Sequence, residues 1–358
     1  MVKVLHVINS FSKAGSEKLV LDITSLMNKK KFDIYVCAIS KGNSTDYFKE
    51  EFKKNNIKSF CLKKKQNKQR VKTLVRLVNI VKENNIDYIH THCKSPDFYG
   101  RLAGFLTSTP VYSTIHNTRG YSKNVERFLK FITKRYIAIS KKVKTYMIED
   151  LNIPEEKIEI IYNGINLERF KNKEKKIKKV KNIIAIGRLK IQKNYKIMLE
   201  SFQYLIKKLN KNNLYVPDLN IVGDGNERDR LVDLAGKLRI KEKVNFMGLR
   251  DDIPGLLKKN DIYLMTSSWE GLSISLIEAL ASGIPIVASD VGSNNEIVEN
   301  KKSGILFKKF DAAHIADKIY HLINDEEKRK ELSKNAVRSS DKFSIIQTVN
   351  KYENLYKN

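Results

Sequence analysis

Residues 269–292 of this chain read WEGLSISLIEALASGIPIVASDVG. A turn precedes Ser273, which has the side chain of a helix cap, and the helical pattern continues to Leu280. Gly283 and Pro285 end that helix, and the apolar residues around and after them predict a buried strand. The stretch therefore predicts the order loop, helix, turn and strand that is typical of an α/β protein.

Two carboxylates flank the start of this predicted helix. Glu270 precedes the free backbone amides of the first turn, and Glu278 lies one or two turns inside the helix. Because a helix N-terminus carries partial positive charge, an anionic ligand bound there would lie within reach of both side chains. The stretch is therefore the first candidate for a ligand site.

Length and composition set the broad class of the protein. The chain has 358 residues, which exceeds what one core usually organises, so we expect two domains. No run of about 18 apolar residues occurs and residues 1–8 resemble a strand rather than a signal peptide, so we expect a cytoplasmic protein. Cys37, Cys61 and Cys93 are widely spaced and odd in number, which favours free buried thiols over disulfides or a metal site.

The chain is strongly basic, with 68 Lys and Arg against 40 Asp and Glu and a formal net charge of +28. The excess is densest at residues 63–72, 127–144 and 171–181. Its possible anionic partners are nucleic acid, a membrane surface and a phosphorylated substrate, and compositional drift toward lysine is the alternative explanation. No helix-turn-helix, zinc or ribonucleoprotein signature is present, so we expect no nucleic acid as partner.

Strand and helix patterns alternate in two series. The first has strands at 3–8, 32–39, 88–90, 111–115, 136–139 and 158–161, and helices at 16–28 and 72–82. The second has strands at 182–186, 219–222, 244–246 and 262–265, and helices at 195–209 and 227–238. Such alternation predicts parallel sheets covered by helices on both faces.

The series are separated by a Lys-rich segment with little to bury. We therefore expect an N-terminal domain over 1–165, a linker over 166–181 and a C-terminal domain over 182–342. In two consecutive doubly wound domains, the default ligand site is the cleft between them.

Several charged or small residues follow predicted strands. Gly15 lies between the first strand and the first helix, where glycine lets a backbone approach a phosphate, although a sharp turn also needs glycine. Gly187 ends a strand, and the Arg188 and Lys193 side chains after it could neutralise a diphosphate. A solvated side chain is the alternative for Lys193.

Three histidines have candidate roles. His116 closes the strand at 111–115, at the sheet edge where such folds keep their sites, although a lone histidine is more often structural. His90 and His92 flank Thr91, but no Asp-x-Asp pair and no nearby acidic ligand accompanies them, so we expect no metal.

Together these residues resemble the motifs of the retaining glycosyltransferases of family 4. The resemblance covers nearly the whole chain, and its most specific part is Glu270 and Glu278 with seven residues between them. Three further motifs support it: Gly187-Arg188-Leu189 with Lys193-Asn194, Tyr162-Asn163-Gly164-Ile165, and Val222-Gly223-Asp224-Gly225. The resemblance implies an α/β protein of the GT-B fold, with two Rossmann-like doubly wound domains facing a deep cleft.

The resemblance also implies roles for individual residues. His116 would lie beside the reacting sugar, Glu270 would contact the hydroxyl groups of the donor sugar, and Glu278 would bind the ribose. Arg188 and Lys193 would hold the diphosphate. The remaining donor-binding residues implied are Gly15, Gly187, Arg250, Gly271, Leu272 and Ser273.

Two positions depart from the family pattern. Ala14-Gly15 stands where the family loop usually carries two glycines, and Val291-Gly292-Ser293 replaces a Val-Gly-Gly sequence. The first departure bears on loop closure and acceptor fit, and neither removes a charged group.

The implied activity is retaining transfer of a hexose or N-acetylhexosamine from a nucleotide-diphosphate sugar to a glycan or lipid-linked acceptor of a bacterial surface polysaccharide. A UDP-sugar is expected first and GDP-mannose second. Cationic side chains and a helix N-terminus would neutralise the negative charge on the leaving diphosphate, so neither a metal nor another cofactor is expected. The alternatives are a sugar-nucleotide epimerase of similar shape and a basic nucleic-acid-binding protein.

Two surface features complete the expectations. The basic and apolar stretch 127–135 would lie on an anionic membrane, at the inner face of the cell membrane, or would be an ordinary helix packing Phe128 and Ile132 into the sheet. The closing segment 343–358 carries an apolar stripe, and in this fold the last helix often crosses back onto the first domain, which we expect here.

Overall fold

A computed structural model describes residues 1–12, 15–41, 47–64, 69–171 and 179–357. Lys13 and Ala14 of the first loop, and residues 172–178 of the predicted linker, lie outside the described residues. The chain divides into two compact units, of which unit 1 comprises Met1–Ile165 and Ile345–Asn358 and unit 2 comprises Asn166–Ser344.

Unit 1 is built on a seven-stranded parallel sheet. Its strands are β1 Val2–Ile8, β2 Phe32–Ser40, β3 Lys58–Lys64, β4 Tyr88–His92, β5 Val111–Ile115, β6 Arg135–Ala138 and β7 Ile158–Ile160. Its helices are α1 Gly15–Leu26, α2 Tyr47–Lys54, α3 Arg70–Glu83, α4 Lys94–Thr107, α5 Lys123–Leu129 and α6 Lys141–Glu149. The strand order is β3-β2-β1-β4-β5-β6-β7, so the winding reverses between β1 and β4.

Both faces of this sheet are buried, which explains the nearly continuous apolar runs in its strands. Val4 and Ile8 of β1 belong to a core cluster on one face, whereas Leu5 and Val7 belong to a cluster on the other. Successive side chains of a strand point to opposite faces, so the apolar run supplies both clusters.

Unit 2 is built on a six-stranded parallel sheet. Its strands are β8 Asn182–Ile186, β9 Asp218–Val222, β10 Val244–Gly248, β11 Ile262–Met265, β12 Ile286–Ser289 and β13 Ile305–Phe307. Its helices are α7 Tyr195–Lys211, α8 Arg228–Lys237, α9 Ile253–Lys259, α10 Ile274–Ser282, α11 Asn294–Ile297, α12 Ala312–Asn324 and α13 Glu326–Ser340. The order β10-β9-β8-β11-β12-β13 reverses its winding between β8 and β11, as unit 1 does between β1 and β4.

The last helix, α14 (Ile345–Leu355), belongs to unit 1. Thr348 Oγ1 donates to the Tyr162 carbonyl at 2.9 Å, and the Tyr112 hydroxyl donates to the Leu355 carbonyl at 3.2 Å. A side chain at Gly164 would meet the α14 backbone, since a Cβ there would lie 2.6 Å from Ile345 Cα. The chain thus returns from unit 2 to complete the core of unit 1.

The predicted fold class is confirmed, because both units are parallel α/β sheets in the Rossmann-like order. The structure corrects two details. Only Cys37 is buried, whereas Cys61 and Cys93 are half-buried, although all three thiols are free. Phe128 does not pack into the sheet, since its side chain is 73% exposed. Within the described residues, no helix is both long and apolar enough to cross a membrane.

Candidate active site

Several of the residues singled out in unit 2 follow the two strands between which its winding reverses. Gly187 directly follows β8, and residues 266–270 follow β11, the neighbouring strand in the sheet. In open parallel α/β sheets, ligands bind outside the carboxyl ends of the strands at this topological switch point. The local topology therefore makes this edge the candidate site of unit 2.

A largely buried ion pair lies at this edge. Lys193 Nζ is 2.6 Å from Glu270 Oε1, and the two side chains are 17% and 7% exposed. Lys193 is therefore not the solvated lysine of the alternative interpretation. An ammonium group has three donors, so Lys193 can keep its bond to Glu270 and still donate to a ligand.

The short 3-10 helix Ile191–Lys193, which follows β8, is hydrogen-bonded to the loop after β11. Gln192 Nε2 donates to the Trp269 carbonyl at 2.9 Å and to Glu270 Oε2 at 3.4 Å. Thr266 Oγ1 donates to the Lys193 carbonyl at 3.2 Å. Sequence reasoning missed Gln192 and Thr266; the position of Gln192 beside Lys193 was the only signal for it.

Glycines set the backbone around Glu270 and Gly187. Gly292 has φ +55°, and a Cβ there would lie 2.0 Å from the Glu270 carbonyl oxygen. Gly223 has φ +134°, and a Cβ there would lie 2.0 Å from the Gly187 carbonyl oxygen. Gly292 is thus needed for the close approach of its loop to the Glu270 backbone.

Helix α10 starts next to this pair, as its sequence predicts. Ser273 caps it, since its Oγ accepts a hydrogen bond from the Leu276 amide at 3.4 Å. Gly271 and Leu272 are buried just before the cap, whereas Glu278 is partly exposed. The first-turn amides therefore lie beside Glu270 in the chain, in position to donate to an anion.

The pKa values of two buried tyrosines are raised in this region, in part by its carboxylates. Burial, followed by the Glu270 carboxylate, raises the pKa of Tyr195, whose hydroxyl donates to the Gly187 carbonyl at 3.0 Å. Burial also raises the pKa of Tyr263, with smaller contributions from both Glu270 and Glu278. Glu270 and Glu278 thus act on one neighbouring side chain, as their spacing in the sequence suggests.

Two predicted cations stand apart from the Lys193–Glu270 pair. Arg188 is exposed directly after Gly187. Arg250 is also exposed and makes a two-point ion pair with Asp252, at 2.8 and 2.7 Å, which lowers the pKa of that carboxyl. Both guanidinium groups are therefore accessible to an anionic ligand.

The remaining predicted residues lie in unit 1. Gly15 begins α1, and a Cβ built on it meets nothing within 4 Å. His116 follows β5 and is half-buried, and burial lowers its pKa to about 4. His116 therefore serves as a neutral imidazole near pH 7.

His116 adjoins a cluster of three buried histidines: His6, His90 and His92. Burial lowers the pKa of His6 to about 3 and, together with neighbouring rings, lowers the pKa of His90 and of His92 well below the usual value. His6 was missed because a histidine inside an apolar strand carries no sequence signal of its neighbours. The register that sets His6 of β1 opposite His90 of β4 brings them together.

The chemistry available at the unit 2 site follows from its charges. An ammonium group, the backbone amides at a helix N-terminus and an exposed guanidinium group can stabilise a diphosphate, and a carboxylate oxygen can accept hydroxyl hydrogen bonds. A neutral imidazole, such as that of His116 in unit 1, can donate a hydrogen bond from one nitrogen and accept one at the other.

Relatives with curated names extend along most of the chain. It is 28% identical to the UDP-Gal:alpha-D-GlcNAc-diphosphoundecaprenol alpha-1,3-galactosyltransferase of Escherichia coli, over 99% of this chain and 96% of that protein. It is 27% identical to the N,N'-diacetylbacillosaminyl-diphospho-undecaprenol alpha-1,3-N-acetylgalactosaminyltransferase of Campylobacter jejuni, over 80% of this chain and 81% of that protein. Among solved structures, the Anabaena protein HepE in complex with UDP and glucose superposes with a TM-score of 0.85, at 20% identity and full coverage of both chains.

Family models match both parts of the chain. The Glycosyltransferase Family 4 model matches residues 14–169, and the Glycosyl transferases group 1 model matches residues 166–339. The resemblance inferred from the motifs is thereby confirmed. The chain belongs to the retaining glycosyltransferases of family 4 and has the GT-B fold.

Proposed function

We propose that this chain transfers a hexose or N-acetylhexosamine from a UDP-sugar to a lipid-linked, diphosphate-bearing acceptor in the synthesis of a bacterial surface polysaccharide. The observation that carries the proposal is the Escherichia coli relative, whose name gives a UDP-sugar donor and a diphosphoundecaprenol acceptor and which matches this chain almost end to end. The Campylobacter jejuni relative also has a diphospho-undecaprenol acceptor in its name.

Lys193 and Arg188 would hold the diphosphate of the donor. Cleavage of the bond between the anomeric carbon and phosphate leaves positive charge on the sugar and an extra negative charge on the nucleotide diphosphate. The ammonium group of Lys193, the amides of residues 271–273 and the exposed Arg188 would stabilise that negative charge. We infer that these groups make a metal ion unnecessary, and transfer in the presence of EDTA tests this point.

The Glu270 and Glu278 carboxylates would bind the two sugars of the donor, which are the transferred sugar and the ribose. Glu270 keeps acceptor capacity beyond its bonds to Lys193 and Gln192, so it can accept hydroxyl hydrogen bonds from the transferred sugar. Glu278, partly exposed on α10, would bind the ribose, and Arg250 would lie near the base. In unit 1, His116 would lie beside the reacting sugar and Gly15 would lie by the diphosphate.

The surface of unit 1 suits a lipid-linked acceptor. Phe128 and Phe131 are 73% and 76% exposed, and Phe105 on α4 is 65% exposed. The buried ion pair between Arg101 of α4 and Glu126 of α5, at 2.6 Å, ties these two helices together. Basic residues are interleaved with these aromatic rings, as in Lys130, whose Nζ lies 5.5 Å from the Phe131 ring centroid. We propose that this surface contacts anionic lipid at the inner face of the cell membrane, where each cation contributes about 1 kcal/mol.

A transfer assay tests the proposed function. Purified protein is incubated with radiolabelled UDP-galactose, UDP-glucose, UDP-N-acetylhexosamines or GDP-mannose, and with undecaprenyl-diphosphate carrying N-acetylglucosamine or another single sugar, in detergent. We expect one UDP-sugar to label the lipid, and we expect the transferred sugar to keep the anomeric configuration that it had in the donor. Labelling from GDP-mannose alone would overturn the proposed donor, and labelling only of a lipid-free glycan would overturn the proposed acceptor.

A further inference from the structure

A line of imidazoles runs from His116 into the core of unit 1. His116 Nε2 lies 3.4 Å from His92 Nδ1, and His92 Nε2 lies 3.0 Å from His6 Nδ1. The His6 and His92 ring planes are nearly parallel, with an angle of 15° between them and ring centroids 5.3 Å apart. Each contact joins one nitrogen of one ring to one nitrogen of the next.

His6, at the inner end of this line, decides which nitrogen donates and which accepts in each imidazole contact. His6 Nε2 is buried and has no hydrogen-bond partner within the described residues. A neutral imidazole carries one N–H and one lone pair, and burial keeps these rings neutral. A buried N–H without an acceptor is rarer in proteins than an unsatisfied acceptor, so His6 places its lone pair at Nε2 and its proton at Nδ1.

Proton positions then follow along the line. His6 Nδ1–H donates to His92 Nε2, which leaves the proton of neutral His92 on Nδ1. His92 Nδ1–H donates to His116 Nε2, which leaves the proton of neutral His116 on Nδ1. Among the described residues, no hydrogen bond reaches His116 Nδ1, so this N–H is available to a ligand.

We propose that His6 and His92 are positioning residues that orient His116 and fix it as the Nδ1–H tautomer, so that it donates a hydrogen bond to the bound substrate. The ligand atom is a hydroxyl or phosphate oxygen of the nucleotide sugar, and this part rests on the proposed function. The 3.4 Å contact is long, as hydrogen bonds of a site without substrate often are. His92 thereby makes His116 a hydrogen-bond donor toward the site, so that His116 binds ligand atoms that accept a hydrogen bond.

A metal ion explains the cluster less well. Ligand atoms of His6, His90 and His92 all lie within 4.8 Å of one another. Both nitrogens of His90, however, are bonded to hydroxyl groups, those of Tyr356 and of Thr114, the latter at 2.7 Å. The nitrogens of His6 and His92 that face each other are at hydrogen-bond distance. The cluster is thus bonded internally, with one nitrogen of His6 left over.

Nitrogen NMR of the full chain tests the proposal. The protein has six histidines, so spectra of protein labelled with ¹⁵N at the imidazoles can be assigned with single variants, including His116→Gln. We expect His116 to be protonated at Nδ1 and bare at Nε2 in the protein without ligand. A His116 protonated at Nε2, or a metal bound in equimolar amount after dialysis, would overturn the proposal.

Variants separate positioning from general packing. In His92→Phe we expect His116 to lose its fixed tautomer and transfer kcat to fall roughly tenfold, with the KM for the nucleotide sugar little changed. His92→Asn places an amide N–H where Nδ1 was, and should restore the tautomer and part of kcat. An unchanged His116 tautomer in His92→Phe would contradict the proposal.

His90→Phe is the matched control. It removes a buried ring from the same face of β4 that bonds Tyr356 and Thr114 rather than His116. We expect it to lower stability without changing the His116 tautomer, and a change as large as that in His92→Phe would overturn the proposal. The wild-type spectrum shows which nitrogen of His116 is protonated even if a variant fails to fold. This result does not depend on whether the protein turns over any nucleotide sugar.

Discussion

Lys193 and Glu270 depend on each other, because each would be a largely buried charge without the opposite charge beside it if the other were removed. Such a loss costs roughly 3–5 kcal/mol in other proteins. The pair therefore holds the shape of the site before a donor arrives. Lys193 was identifiable from sequence only as a cation after a strand; that it bonds Glu270 depends on β8 and β11 being neighbours in the sheet.

We expect Lys193→Ala and Glu270→Ala each to lower transfer by about 10²-fold or more, the usual effect of removing one preorganised electrostatic contact. In the double variant Lys193→Ala/Glu270→Ala the two losses should not add, because the single variants already break the same pair. Steady-state kinetics on the four proteins provide the measurement. Strictly additive losses would show that the pair does not act as a unit.

Lys196→Ala is the control for these variants. Lys196 lies exposed in the first turn of α7, and its Nζ is 3.8 Å from Oε1 of the half-buried Glu200. Exposed pairs contribute little, so kinetics and stability should stay close to wild type.

Gly292 offers a second test at the scale of one residue. A methyl group there would collide with the Glu270 carbonyl, 2.0 Å away, and its φ of +55° costs a non-glycine residue about 1–3 kcal/mol. We expect Gly292→Ala to lower stability and to weaken donor binding by displacing Glu270, as measured by thermal unfolding and calorimetric titration. The control is Gly236→Ala in α8, where a Cβ meets nothing within 4 Å and alanine should stabilise the helix by about 0.5–1 kcal/mol. Equal behaviour of the two variants would exclude this role for Gly292.

At the scale of elements, the strands and helices that carry the unit 2 site were the most predictable. The cap at Ser273 and the break at Gly283 are local signals, and the structure has α10 between them. Strand β3, in contrast, has three lysines among its seven residues and only one fully buried side chain, because an edge strand has little to bury on its outer side. The histidine cluster was also missed, because it depends on the register of β1, β4 and β5 and on α14 rather than on any local pattern.

The buried histidines make the stability of unit 1 sensitive to acid. In the unfolded chain these rings bind a proton near pH 6.5, whereas folded His6 stays neutral down to about pH 3. The unfolded state then binds more protons as pH falls below about 6.5, so stability decreases by up to about 1.4 kcal/mol per pH unit for each buried ring.

Urea denaturation at about pH 6.5 and about pH 5, followed by circular dichroism, measures this dependence. We expect His6→Phe to reduce the loss of stability between the two pH values. His321→Gln, which changes an exposed ring on α12, should leave that loss unchanged. A wild-type stability that is flat across this range would contradict neutral buried histidines.

At the scale of the whole molecule, both units are built on parallel sheets, and the alternation of apolar strands with helical segments was enough to predict that class of fold. The net charge of +28 was not enough to identify a partner. The exposed aromatic side chains Phe128 of α5 and Phe131 after it add apolar surface beside the lysines, which is the combination that an interfacial contact with an anionic membrane would bury.

We therefore expect the protein to sediment with vesicles that contain anionic phospholipid at low salt, and less so with neutral vesicles or at high salt. Phe128→Ser/Phe131→Ser should weaken this binding, because it removes apolar surface that inserts at the interface. Ile191→Ser, which changes an exposed apolar residue of unit 2, is the control and should bind as wild type does. Equal binding by all variants would assign the attraction to net charge alone.

The most direct test of the central claim, that Lys193 and Glu270 lie in the donor site of a UDP-sugar transferase, is thermal unfolding with a panel of nucleotide sugars in the presence of EDTA. A ligand at a hundredfold excess over its dissociation constant stabilises the folded state by about 2.7 kcal/mol. We predict that one UDP-sugar raises the melting temperature of the wild type and of Lys196→Ala, and that the shift is absent in Lys193→Ala. A panel without any stabilising nucleotide sugar, or an equal shift in Lys193→Ala, would contradict the account.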